Sequence, residues 1–331
     1  MNARDDVSFA DSFAAEYDAL LNRSGYVALK DWSVVSLAGT DRQSFLHNMC
    51  TNEIHNLTVG EGCEAFCTDV KGKIVTHVWV LLLENRITLL TVPNQAEQIV
   101  SHLDRYIIRE DVQLADRSRA EAWTLLAGAQ ADGVLNGSGA KLAKPWQSAT
   151  CRLGDVECLL VRFALPGRNA YLLSTSREQV ASLHQQLSEA GALACGEQAW
   201  TTLRVETGWP LFGTDFDHSH LPQEVARDAQ AISFTKGCYL GQETVARIDA
   251  LGHVNRQLVT LRFAEGTTPK PGTQLTQQEQ QVGVATTVGR SPRSGAHLAL
   301  GMVRRGCNEV GAVLDSEFGP VEVIATPAIG D

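Results

Sequence analysis

The segment Lys236-Gly237-Cys238-Tyr239-Leu240-Gly241-Gln242-Glu243, followed by Arg247, gathers the side chains of this chain best suited to chemistry. Cys238 stands two positions from Lys236, and a nearby cation lowers a thiol's pKa and favours the nucleophilic thiolate. The two glycines, Gly237 and Gly241, permit a turn whose backbone amides face an anion or a carbonyl. Glu243 and Arg247 are four residues apart, a spacing that pairs them on one helix face. The same residue types also suit a helix-entry loop in which the cysteine serves as a small hydrophobe, so this segment by itself leaves both uses open. Cys63-x-x-x-Cys67 and His218-Ser219-His220 have the spacing of metal pairs. Structural zinc takes four ligands, however, and no matching second pair accompanies either, so no metal is expected. No Gly-x-Gly-x-x-Gly turn, Walker A loop or Ser–His–Asp arrangement is present to support nucleotide or serine-hydrolase chemistry.

These residues need elements to hold them. Thr40-Asp41-Arg42-Gln43 ahead of Phe45, Leu46 and Met49 has capping-box spacing, which predicts a helix after a strand through Val34, Val35 and Leu37. β-rich runs at 74–83 and 87–92, parted by Glu84-Asn85-Arg86, predict a hairpin. Asn94 is placed to cap a helix whose Ile99, Val100, Leu103 and Ile107 form one apolar stripe. Residues 128–145 read as a loop or domain edge. Strands are predicted at 157–163 and 170–174, then a helix opening at Ser176 and Gln179, and another over 197–206. Strand–strand–helix units of this kind build α+β layers rather than a doubly wound parallel sheet. After Gly252, short β runs at 257–263, 282–288, 296–303 and 321–324 between Gly/Pro turns predict a small barrel.

At 331 residues the chain is long enough for two or three domains. A hydrophobic content of 44% with 20% charged residues excludes a mainly disordered chain. Lys and Arg total 28 against 38 for Asp and Glu, a net charge of −10. That balance repels phosphate backbones and anionic membranes, so no direct nucleic-acid contact is expected, while a local basic pocket for an anionic ligand remains compatible. No apolar run approaches the roughly 18–20 residues of a membrane span, and the acidic N-terminus lacks the features of a signal or transit peptide. A cytoplasmic address follows as an expectation, with the eight cysteines reduced rather than forming a disulfide framework.

The segment 236–243, continued by Val245-Ala246-Arg247 and Gly252-His253-Val254-Asn255-Arg256-Gln257-Leu258, resembles the signature of the YgfZ family of folate-binding proteins. That family is a branch of the superfamily containing the glycine-cleavage T-protein, an aminomethyltransferase. The likeness runs along nearly the whole chain. Leu37-Ala38-Gly39-Thr40-Asp41 with Phe45-Leu46 resembles its first strand-to-helix segment. Arg204-Val205-Glu206-Thr207-Gly208-Trp209-Pro210, Gly213, Asp215 and Leu221-Pro222-Gln223-Glu224 resemble its Arg-x-Glu-x-Gly-x-Pro region. Val282-Gly283 and Leu300-Gly301-Met302-Val303-Arg304-Arg305 resemble its C-terminal barrel.

The resemblance implies an α+β, GcvT-like ring of two α+β domains plus a C-terminal β-barrel around a folate site. The expected units are 1–57 with 146–252, an inserted 58–145, and a barrel over 253–331. It implies tetrahydrofolate as ligand, Glu206 as pterin anchor and Arg227 beside it; a carboxylate accepts two parallel N–H bonds from a pterin edge. It also implies a role in assembly or repair of iron–sulfur proteins, with Cys238 supplying a thiol, Tyr239 and Arg247 shaping its loop, and effects on tRNA modification that are indirect. One cysteine is too few for a conventional four-thiolate cluster, so assembly factors or client proteins are the implied partners. T-proteins carry a catalytic aspartate after a Gly-Gly-Ile-Leu-type turn, whereas Gly72-Lys73-Ile74-Val75 leads here to Thr76 and His77. Threonine does not ionise in that role, so T-protein chemistry is not expected. A folate-dependent aminomethyl or methyl transferase and a folate-free adaptor are the alternative functions.

Overall fold

The computed structural model describes residues 3–325. The last residues of the expected barrel range, 326–331, lie outside the described residues. After an N-terminal helix, Ala3–Asn22, the chain builds two antiparallel-dominated sheets and a barrel. One sheet has six strands in the order Leu193–Ala194, Gly25–Leu29, Glu121–Ala127, Ala170–Ser176, Val156–Arg162, Ser148–Leu153. The other has five, ordered Gly62–Thr68, Ile74–Leu82, Ile87–Pro93, Trp32–Ala38, Gln113–Asp116. The barrel closes through Arg256–Phe263, His297–Arg304, Gln280–Arg290, Gln274–Gln277, Val313–Ser316 and Gly319–Ala325. The fold is therefore α+β with a C-terminal barrel, as the residue patterning indicated. Among the described residues no helix is long and apolar enough to cross a membrane.

The strand pairing divides the chain at places other than the expected limits of 57/58 and 145/146. Trp32–Ala38 pairs with Ile87–Pro93 in the five-stranded sheet, and Glu121–Ala127 pairs with Gly25–Leu29 and Ala170–Ser176 in the six-stranded one. The inserted unit thus runs from about Trp32 to Asp116. Its entry is the tight turn at Lys30-Asp31, where Asp31 adopts a left-handed φ of 56°, and its exit is the turn in which Glu121 N–H donates to Arg117 O. Neither crossing carries a long linker, which is why composition could not mark it.

Tertiary partners also overrule two local helix signals. The helix Arg42–Met49 starts after Asp41, without a side-chain cap. Thr40 instead gives both its N–H and its hydroxyl to Asp111 Oδ2, and the Gln43 amide donates to the carbonyls of Ile54, His55 and Leu57. Asn94 turns the chain at φ 64° ahead of the helix Ala96–Asp104, and Gln95 is the N-cap. Ser33 Oγ accepts the Gln95 N–H.

The two sheets face each other across one aromatic cluster. All six tryptophans of the chain, at positions 32, 79, 123, 146, 200 and 209, belong to it. A second cluster joins all three units: Phe66 and Ile74 of the five-stranded sheet, Val205, Phe212 and Phe216, Tyr239 and Val245, and Leu258 and Leu300 of the barrel. Burial of this much aromatic and branched surface is what fixes the units to one another.

Candidate functional site

The segment Arg204–Pro210 is pinned before Glu206 can be placed. Arg204 is buried, and its Nη1 donates to Asp215 Oδ2 at 2.6 Å and to Trp209 O at 3.1 Å, while Nη2 donates to Thr287 Oγ1 of the barrel at 2.7 Å. Glu206 is the last residue of the helix Glu197–Glu206 and is half-buried. Its carboxylate accepts the Tyr17 hydroxyl at both oxygens, 2.9 and 2.8 Å, and the Ser291 hydroxyl at 2.5 Å. The N-terminal helix, the helix of Glu206 and the barrel therefore meet at one carboxylate. Burial pushes the Tyr17 phenol far up, and the Glu206 hydrogen bond and charge add to it; Arg293 and Arg168 act the other way. Those two arginines line a polar cavity of about 800 Å³ with Asn22 and Asn169.

Arg227 lies in a different, fully buried constellation. Its Nε and Nη2 each donate to Glu64 at 2.5 Å, and its guanidinium lies 4.1 Å above the Trp209 ring. His77 Nε2 is 2.8 Å from Glu64 Oε1 and stacks on Phe66 at 4.8 Å. Burial alone would raise Glu64, but Arg227 and His77 outweigh it and hold the carboxyl down at about 2. His77 occupies the stretch that corresponds to the T-protein acid, and it is committed to a buried contact with Glu64. Thr76 beside it has a buried hydroxyl without a partner. Trp209, whose ring lies under the Arg227 guanidinium, is three residues beyond Glu206 in sequence. Asp228, next in sequence to Arg227, is pushed up to about 7 by burial and by Asp249.

The 236–243 segment is anchored by Lys236 and turns Cys238 outward. The buried Lys236 ammonium donates to the carbonyls of His47, Cys50 and Asn52 at 2.5, 2.7 and 2.8 Å and lies 4.9 Å from the Tyr239 ring centre. An ammonium has three donors, and all are used. The expectation that Lys236 acts on the Cys238 thiol is therefore corrected: burial lowers the lysine's own pKa, and the thiols around its charge are Cys50, Cys63 and Cys67. Burial pushes Cys50 up to about 11 and holds the other two well above the usual thiol range. Tyr239 is buried and Cys238 exposed.

Gly241 serves close packing rather than anion binding. At φ 82° its Cα faces the Asp69–Lys73 turn, and a Cβ there would lie 2.4 Å from Asp69 O. Gly72, at φ 76°, interlocks from the other side, where an added Cβ would lie 2.7 Å from Thr244 Cβ and 3.1 Å from Gly241 O. Gly237, by contrast, has open surroundings, with His47 Nε2 at 3.9 Å from an added Cβ. Gln242 opens the helix Gln242–Leu251, on which Glu243 and Arg247 are exposed. Among the ion pairs of the described residues none joins those two, so the expected pair does not form. His218 and His220 turn to separate partners, Gln98 and Asp217, and among the described residues no group of three or more His, Cys, Asp or Glu is arranged to hold a metal.

The sequence singled out Glu206, Arg227 and Cys238 and set Arg227 beside the ligand of Glu206, whereas the structure holds Glu206 and Arg227 in separate networks. It missed Tyr17, Ser291 and Glu64. Tyr17 and Glu206 are 189 positions apart and Glu64 and Arg227 163, and no local spacing signals such partners. The residues present fit a pterin. Glu206 keeps acceptor capacity for N–H donors because only hydroxyls bind it, and the buried Trp209 Nε1 and Arg227 Nη1 have no partner. The Tyr17 hydroxyl, however, already bridges the carboxylate edge that two parallel N–H groups would use.

Comparison with known proteins bears on the fold and the family. The GCVT N-terminal domain matches residues 5–235 and the glycine cleavage T-protein C-terminal barrel domain matches residues 256–328. A protein of Yersinia enterocolitica named tRNA-modifying protein YgfZ is 29% identical over 300 residues, covering 90% of this chain and 86% of its own. A putative chloroplastic transferase of Arabidopsis thaliana is 26% identical over 300 residues, covering 89% of this chain and 68% of its own. The crystal structure of aminomethyltransferase T from Bartonella henselae superimposes with a TM-score of 0.85 at 18% identity, over 95% of this chain and 89% of that one. With its N-terminal 5–235 and its barrel both matched, the chain belongs to the glycine-cleavage T-protein (GCVT) family.

Proposed function

We propose that this chain binds a tetrahydrofolate at Glu206 and assists assembly or repair of iron–sulfur proteins, without T-protein aminomethyl transfer. The observation that carries the reading is His77: where transfer chemistry needs a placed acid, the side chain is held against Glu64, which Arg227 also pairs. Glu206 orients the pterin through its carboxylate, and the orphaned Trp209 and Arg227 donors stand ready for ring acceptors. Cys238 presents an exposed thiol on a loop that Lys236 makes rigid, and a client or assembly factor supplies the remaining cluster ligands. The relatives named as tRNA-modifying support an effect on tRNA, and since a net charge of −10 disfavours direct contact with RNA, in this reading that effect runs through an iron–sulfur enzyme. A cytoplasmic setting, with its reduced thiols, belongs to the same proposal.

Calorimetric titration of anaerobic tetrahydrofolate into the wild type and Glu206→Ala tests the ligand. Binding lost in the variant is expected, and no binding to the wild type overturns the folate reading. For the client role, a deletion strain should lose iron–sulfur enzyme activity that the wild type restores and Cys238→Ala does not; full rescue by the variant removes Cys238 from the mechanism. One observation favours a transferase instead: Asp228, pushed up to about 7 by burial and by Asp249 and with its Oδ1 buried without a partner, is a carboxyl suited to acid–base work. Methylenetetrahydrofolate formation that disappears in Asp228→Asn would establish that reading.

A further inference from the structure

The hairpin of Ser148–Leu153 and Val156–Arg162 forms the outer edge of the six-stranded sheet and sets Cys151 directly opposite Cys158. Opposed residues of antiparallel strands lie about 4.5–5.5 Å apart at Cα, within the roughly 4.4–6.8 Å that disulfides span. Both side chains are buried on the same face, with Sγ atoms 3.3 Å apart, and both are free thiols. With Cys158 donating, the hydrogen bond between them holds Cys151 below the usual thiol range and, together with burial, pushes Cys158 above it. Cys151 is therefore the thiol that ionises first, and the thiolate is the attacking species.

We propose that Cys151 and Cys158 form a dithiol redox site that closes to a disulfide by exchange with a low-molecular-weight disulfide of the glutathione class. The Cys151 thiolate attacks one sulfur of the disulfide and releases one small thiol. The Cys158 sulfur then displaces the second, its proton leaving with that thiol, so two protein thiols are oxidised and one small disulfide is reduced to two thiols. Edge position makes this accessible: Ser148–Leu153 has a strand neighbour on one side only. Among the described residues its outer edge is held by just two backbone hydrogen bonds, Ser148 N–H to Gly60 O and Arg152 N–H to Ser138 O. Local opening of the hairpin exposes the thiols without parting the central strands.

The site is separate from the ligand constellation. Cys151 and Cys158 pack with Leu153, Val156 and the helix residues Leu183 and Leu187. Leu160 shares their face, whereas the next residue, Val161, points to the tryptophan cluster on the other side of the sheet. Closing the bond staples the edge hairpin and leaves Glu206 and Tyr17 in place.

The test equilibrates the full chain in glutathione–glutathione disulfide mixtures, quenches with acid, alkylates the remaining thiols and maps the peptides. Cys151 and Cys158 are expected to be joined, lighter by two hydrogens and unalkylated, with the bond reversed by dithiothreitol. The exposed Cys238 reports in the same sample that the oxidant has acted. In Cys158→Ser, Cys151 is expected to retain glutathione as a mixed disulfide. Complete alkylation of Cys151 and Cys158 in wild-type protein whose Cys238 carries glutathione overturns the proposal, as does a bond from either to another cysteine. The wild-type map decides even where the variant does not fold.

Discussion

Replacing Arg227 by Met should leave the Glu64 carboxylate buried with only His77 to compensate it. The side chains of Arg227 and Glu64 are 1% and 0% exposed, so solvent does not screen the loss. Two routes give its size. Breaking a buried ion pair from one side costs about 3–5 kcal/mol. Glu64 is held at about 2 instead of 4.5, and at roughly 1.4 kcal/mol per pKa unit that difference is worth about 3 kcal/mol. For units of this size the midpoint of thermal unfolding should fall by about 6–20 °C. The sign with pH follows from a depressed folded-state pKa: the contribution is complete above pH 4.5 and disappears as pH falls toward 2. Urea denaturation of wild type, Arg227→Met, Glu64→Leu and the double variant across that range measures both effects. The double variant should recover most of the loss, since neither charge is then stranded. A cost below about 1 kcal/mol for Arg227→Met, or a deficit that persists undiminished near pH 2, would refute the assignment of Arg227 to a structural ion pair.

Tyr17→Phe removes a donor that bridges both oxygens of Glu206; tetrahydrofolate titration should show binding about tenfold tighter, as expected for a competing hydrogen bond to a charged group, and unchanged or weaker binding would show that Tyr17 does not compete. Lys236→Met leaves the carbonyls of His47, Cys50 and Asn52 without their donor. It should destabilise the protein by about 3 kcal/mol or more and speed amide exchange across 236–243 before other segments, and protection equal to wild type there would count against the anchor. Gly241→Ala meets Asp69 O and a left-handed backbone together, so a loss of at least about 1–2 kcal/mol in denaturant titration is expected, whereas the same change at the open Gly237 should cost little.

Local patterning was enough for part of the structure. The hairpin Ile74–Leu82 with Ile87–Pro93, the helix Glu197–Glu206 and four of the six barrel strands could be read from periodicity and turn residues, because each buries a face set by its own residues. The two missed barrel strands, Gln274–Gln277 and Val313–Ser316, are only four residues long and largely polar, so they carry no such periodicity. The segment 236–243 was likewise legible as an unusual combination of residue types, and Glu206 and Arg227 through the motifs around them.

What only the tertiary structure decided was the purpose of those residues. Lys236 reads as a cation for Cys238 by spacing, but its ammonium is taken up by the carbonyls of His47, Cys50 and Asn52 at and just beyond the end of the helix Arg42–Met49. Gly241 looked like an anion-binding turn but is a contact point for another backbone. Domain limits failed for the same reason, since a two-residue turn carries the chain from one sheet to the other and strand partners are chosen by faces that meet far along the chain. Side-chain type and spacing constrain what a residue is able to do; which partner it finds depends on contacts between positions 163 or 189 residues apart, and those exist only once the two sheets and the barrel have packed around a common core.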